Sequence, residues 1–133
     1  MSVLGGKQTL TTCTRAEHPW WVLDVLTKPV IEADPQSGGW QITYQLGEAF
    51  DYDIPFRAAL EEVVEVLGRS APSSLTLPPF SRDEDFVEGV LDFGPQQVGV
   101  YYEYSLGYLA LMNPHRKVVE EVADKLRPHI QRR

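Results

Sequence analysis

The residues of this chain best suited to chemistry are carboxylates, and two tight groups stand out: "DYD" at 51–53 and "DED" at 83–85. Hard cations take several oxygen ligands, which clustered Asp and Glu can supply. Each group also has a plainer reading. Asp53 sits where a helix needs an N-cap, and "SRDEDF" reads as a solvated loop tip or a charged contact patch. The histidines, His18, His115 and His129, are too far apart for a short metal-ligand motif. His18 and His115 adjoin prolines and read as element-boundary residues. Cys13 is the only cysteine, so an internal disulfide and a multi-cysteine metal site are excluded, and it reads as a small buried apolar residue. Neither nucleotide-binding glycine fingerprint is present, nor a G-x-S-x-G elbow. The expectation is therefore a protein without catalytic residues, metal or cofactor.

Charge is the more informative property. The chain carries a formal charge of −7, unevenly placed. Residues 48–92 hold eleven acids against three bases, Arg57, Arg69 and Arg82, a net −8 that leaves the remainder at +1. Such a field repels phosphate backbones and attracts a basic protein surface, which argues against nucleic acid as a partner. The C-terminal segment is mildly basic, as suits the end of a helix. No apolar run approaches the roughly 18 residues of a membrane-spanning helix, and the first residues lack signal-peptide features. A cytoplasmic protein with no membrane contact is expected.

These residues need a scaffold, and 133 residues suffice for one domain with one core. Phe56, Ala59, Leu60, Val63, Val64 and Leu67 recur at helical spacing, which predicts a helix capped by Asp53, with Pro55 in its first turn and Gly68 as its stop. A second helix is predicted from an Asn113 cap and Pro114, with Val118, Val119, Val122, Ala123 and Leu126 as its stripe and Pro128 beyond its end. "PVIEAD" and "WQITYQL" flank the turn sequence "PQSGG" and predict a hairpin. "FVEGVLDFG", "VGVYYEY" and "YLALM" predict a meander, with turns at "GPQQ" and "SLG" and Gly107 left-handed. "SLTLPPF" reads as a loop or edge segment. Residues 19–27 fit a short helix slightly better than a strand. The fold class is α+β: an antiparallel sheet of about five strands with two or three helices packed mainly on one face.

Period two sorts the tyrosines of "VGVYYEY". Tyr102 and Tyr104 share the Val98 and Val100 face and belong to the core. Tyr101 and Glu103 fall on the opposite face, left for solvent or a partner, with Glu88 and Asp92 if the neighbouring strand pairs in register. Together with the loop acids Asp83, Glu84 and Asp85 they form the candidate partner-binding set. Trp20 and Trp21 are adjacent, so in a strand they point opposite ways, whereas Trp40 reads as core. A second reading, from a different class, places a small-ligand or enzymatic pocket between sheet and helices, lined by Trp20, Tyr44, Tyr102 and Tyr108. A third is a small acidic secretion chaperone or adaptor.

The run "FVEGVLDFGPQQVGVYYEYSLGYLALMNPHRKVVEEVADKL" (86–126) resembles the C-terminal part of small bacterial immunity proteins that accompany polymorphic toxins of contact-dependent or type VI systems. The likeness lies in size, acidity, the strand–strand–strand–helix order and the "VYYEYSLGYLAL" hairpin. It implies a non-enzymatic cytoplasmic protein that binds one cognate toxin domain, such as a basic nuclease, and blocks its active site or its activation. It supplies no motif from which binding residues can be transferred.

Overall fold

In the computed structural model, which describes residues 23–132, strand alternation fixes which residues meet. Six strands form one antiparallel sheet in the order β2-β3-β7-β6-β5-β4. They are β2 (Val30–Ala33), β3 (Trp40–Gln45), β4 (Ser73–Thr76), β5 (Phe86–Phe93), β6 (Gln96–Glu103) and β7 (Tyr108–Asn113). Two helices, α1 (Phe56–Gly68) and α2 (Arg116–Leu126), lie on one face. Helix α1 covers β4 and β5, and α2 covers β3 and β7. This is the expected α+β architecture, with β4 as a sixth strand.

The register explains the core. Val87 opposes Tyr102, Leu91 opposes Val98, Val100 opposes Leu111 and Tyr102 opposes Leu109, so one face is almost wholly apolar. Against it α1 turns Phe56, Leu60, Val63 and Leu67, and α2 turns Val118, Val119, Val122 and Leu126, all buried. The ring of Phe56 stacks on Tyr102 at 4.2 Å between centroids, which joins the first turn of α1 to the middle of the sheet.

Both helices begin later than their capping signals predict. Asp53 is not the cap of α1. Its own N–H is taken by the Asp51 carboxylate at 3.1 Å, and the Phe56 N–H bonds to the Ile54 carbonyl at 2.9 Å. Pro55, at φ −83° and ψ 59°, is thus the centre of an inverse γ-turn, and the helix starts only at Phe56, with no side-chain cap. Asn113 is likewise the last residue of β7. Its amide donates to the Gln97 carbonyl at 2.8 Å, and its side-chain oxygen accepts the His115 N–H at 2.8 Å across Pro114. His115 is the N-cap of α2 and Pro114 lies outside the helix.

The slight preference for helix at 19–27 is corrected where the structure describes it. Leu23–Val25 is a strand, β1, paired in parallel with β8 (Ile130–Arg132) in a separate two-stranded sheet. Leu23 and Val25 are buried and Asp24 is exposed, the period of a strand. Its partner follows a 3-10 turn at Arg127–His129, so chain-distant pairing decides its state. Cys13, His18, Trp20 and Trp21 lie outside the described residues.

The turns fall where predicted, although Gln96 and Gln97 of "GPQQ" already pair in β6, and the β6–β7 loop takes in Tyr104 beside "SLG". Asp34 opens the β2–β3 turn, its carboxylate accepting from Gln36 N–H and the Ser37 hydroxyl, and Gly38 has φ +79°. Gly94 and Pro95 close β5–β6. At β6–β7, Gly107 has φ +68°, and its carbonyl accepts from both Leu46 N–H and Gly47 N–H, at 2.9 and 3.1 Å. A Cβ at Gly107 would strike the Gly47 carbonyl oxygen and sit 2.8 Å from that of Glu48. Substituting Gly107→Ala therefore combines a left-handed backbone with a backbone clash, and should cost about 2–4 kcal/mol. Urea denaturation of the variant measures it, and unchanged stability would mean that the hairpin and the 46–48 loop are not packed this tightly.

Candidate functional site

Both described helices pack on one face of the six-stranded sheet, and among the described residues no helix packs on the other. This open face is made of the alternate residues of every strand. One row across it reads Thr43, Ala110, Tyr101, Glu88, and the next reads Gln45, Tyr108, Glu103, Phe86. Glu32 and Asp92 lie further out on β2 and β5. No strand residue on this face is Lys or Arg. The face is thus acidic and aromatic together.

Its centre is ordered by hydrogen bonds. The Tyr101 hydroxyl and the Ser105 hydroxyl both donate to the Glu103 carboxylate. These two bonds, the Ser105 one foremost, hold the Glu103 carboxyl below its ordinary range against the opposing effect of burial. The Tyr101 hydroxyl is shifted up, first by burial and then by Glu103, with smaller contributions from Tyr108 and Glu88. Phe86 stacks on Tyr101 at 5.9 Å. Between Tyr101, Tyr108, Glu88 and Glu103 and the β2–β3 turn lies a shallow concavity of about 310 Å³. Glu103 is therefore a preorganised anion beside aromatic rings, an arrangement that receives a cation or a basic surface.

The predicted partner-binding residues divide into three groups. Glu88, Asp92, Tyr101 and Glu103 come together on the open face, as their period requires. Asp83 and Asp85 are exposed in the β4–β5 loop, at the end of the sheet beside Phe86. Glu84 is different, with only 9% of its side chain exposed. It pairs with Arg57 at 2.9 Å, accepts from the Tyr104 hydroxyl at 2.9 Å and from Ser81 N–H at 3.3 Å. The carboxylate joins a loop to helix α1 and does not face the open surface. The open face also contains Glu32, Phe86 and Tyr108. For Tyr108 the alternation of "YLALM" was a sufficient signal. For Glu32 only the pairing of β2 with β3 places it.

The residues of the small-ligand reading do not line one pocket. Tyr44 and Tyr102 are buried on the helix side of the sheet, Tyr108 lies on the open face, and Trp20 is outside the described residues. A hollow of about 370 Å³ adjoins Tyr44, between Ile31, Ile42, Ala123, Arg127 and Ile130, without Tyr102 or Tyr108. Among the described residues no group of His, Cys, Asp and Glu converges as a metal site, so "DYD" and "DED" do not form one. No described helix is long and apolar enough to cross a membrane. Comparisons with protein-family models, curated proteins and solved structures found no match to this chain.

The Glu84 pair generates a pH prediction. Burial raises the Glu84 pKa, but the bonds from Arg57, Tyr104 and Ser81 outweigh it and hold the group below the ordinary 4.5. A carboxylate depressed on folding stabilises the fold above its unfolded value, and this is lost as pH falls toward the folded one. Wild-type stability should therefore decline as pH drops below about 4.5, partly through this group. Substituting Glu84→Gln should cost about 1.5–3 kcal/mol at neutral pH and flatten that decline. Chemical denaturation of both proteins from pH 7 to 3 checks it, and parallel pH curves would remove Glu84 from the account.

Proposed function

We propose that this chain is a non-enzymatic binding protein that docks a basic protein surface on its open sheet face. In the class suggested by the 86–126 resemblance, the partner is a cognate bacterial toxin domain and the outcome is its neutralisation. One observation carries the reading. A sheet face bearing Glu32, Glu88, Asp92 and Glu103, with Tyr101, Tyr108 and Phe86 between them, contains no strand Lys or Arg. Such a face steers a cationic partner from a distance, and its tyrosines supply rigid contact area on arrival. The same charge disfavours nucleic acid, because base-stacking sheets need cations beside their rings. A basic nuclease presents the complementary surface.

The test uses the C-terminal domain of the protein encoded by the neighbouring upstream gene, which this reading requires to be a toxin. Glu32→Lys combined with Glu88→Lys should slow association about tenfold in low salt, with little change in dissociation. The difference should vanish near 1 M salt, where the screening length is roughly 3 Å. Surface-based kinetics measure both rates. Association that is unaffected by the reversal at every ionic strength would remove the open face from the encounter. Failure of the wild-type chain to capture that domain would remove the toxin as the partner.

A further inference from the structure

Among the described residues, seven large apolar side chains are exposed, and five of them belong to the segments that converge near Tyr104. Phe50 donates its N–H to the Tyr104 carbonyl at 2.8 Å. Tyr52 stacks on the Tyr104 ring at 4.8 Å. Phe86 follows Asp85, whose carbonyl accepts the Tyr104 N–H at 3.0 Å. Leu106 stands in the same hairpin turn. Phe80 lies under the Arg57 guanidinium at 5.8 Å, which pairs with Glu84, which in turn accepts from the Tyr104 hydroxyl. These five side chains are 47% to 66% exposed. Exposed aromatics scattered singly need no explanation, whereas a contiguous group at one end of a domain marks a contact surface.

Two further features separate this end from ordinary loop exposure. Phe50 has φ +60°, the one non-glycine residue with positive φ among those described. That conformation is unfavourable for a bulky side chain and glycine would adopt it freely, so a strained backbone is spent to hold an exposed ring. The rim is also acidic. Glu48, Asp53, Asp83 and Asp85 are exposed around the aromatics, and Arg82 is the single exposed base in the loops 47–55 and 77–85. Two copies meeting here would oppose like charges, so the rim selects a basic partner over a second copy.

We infer that this end is the anchoring part of the interface: Phe50, Tyr52, Phe80, Phe86 and Leu106 bury an apolar segment of a protein partner whose flanks carry Lys and Arg. The inference rests on the binding function proposed above and divides its labour, with the open face governing arrival and the aromatic end governing departure. Phe86 belongs to both, for it stacks on Tyr101 of the open face and follows Asp85, whose carbonyl binds Tyr104.

The experiment has two arms. In the first, a short amphipathic peptide of leucine and lysine is titrated into the isotope-labelled chain, with a leucine–glutamine peptide as control. Saturable shifts confined to the Tyr104 end, weakened at least tenfold by Phe50→Ser, Phe80→Ser and Phe86→Ser together, are expected. Shifts elsewhere, no saturation, or equal binding of the uncharged control overturn the inference. So does a wild-type dimer that the triple variant makes monomeric. In the second arm, Phe50→Gly should raise the melting temperature by a few degrees while accelerating release of the captured toxin domain about tenfold. Release at the wild-type rate overturns the anchoring role and leaves the proposed function standing. Peptide binding without any capture of the toxin domain overturns the proposed partner and leaves this site standing.

Discussion

The junction at Tyr104 is the constraint on which the rest of the structure depends. It stands one residue beyond β6, and its polar groups are spent on two other loops, 47–55 and 77–85. Its N–H goes to Asp85, its carbonyl to Phe50 and its hydroxyl to Glu84. Its ring meets Phe56 and Tyr102 edge-on, at 5.6 and 5.2 Å, and Tyr52 face-on. Three stretches of the chain are thereby held at one point: the 47–55 loop running into the start of α1, the 77–85 loop and the β6–β7 hairpin. The half-buried Glu84–Arg57 pair closes the arrangement by tying the 77–85 loop to α1.

That junction also bears on the surface. The loops that meet at Tyr104 carry Phe50, Tyr52 and Phe80, all exposed. On the sheet itself the helices consume one face completely and leave the other to Tyr101, Tyr108 and the carboxylates. Among the described residues, the acidic face follows from helices that pack on only one side of the six-stranded sheet. Electrostatic reach and apolar contact act on different parts of binding, the first on encounter and the second on residence. A protein that carries both would suit the basic partner proposed above.

Much of this was legible in the residues. Period two separated Tyr102 and Tyr104 from Tyr101 and Glu103, and period 3.6 found both helical stripes. Gly38 and Gly107 marked their turns because only glycine accepts those backbones easily. The helix starts were not legible, since Asp53 and Asn113 are good caps in isolation. The inverse γ-turn at Pro55 and the Asn113–Gln97 bond, both fixed by surrounding structure, moved each start onward. Nor could spacing show β1, three residues long, because its hydrogen bonds go to a strand more than a hundred residues away.

Charge shows the same division. Composition alone determined that the middle of the chain is acidic, and alternation determined which strand acids share a face, because a pleated backbone sends successive side chains to opposite sides. Only the tertiary structure decided what each carboxylate does. Asp83, Glu84 and Asp85 are neighbours in sequence, yet Glu84 turns in to Arg57 and Tyr104 while the other two remain in solvent. The energy that decides this is the pairing of a buried charge with a cation contributed from α1. Sequence records the presence of such a partner but not its distance.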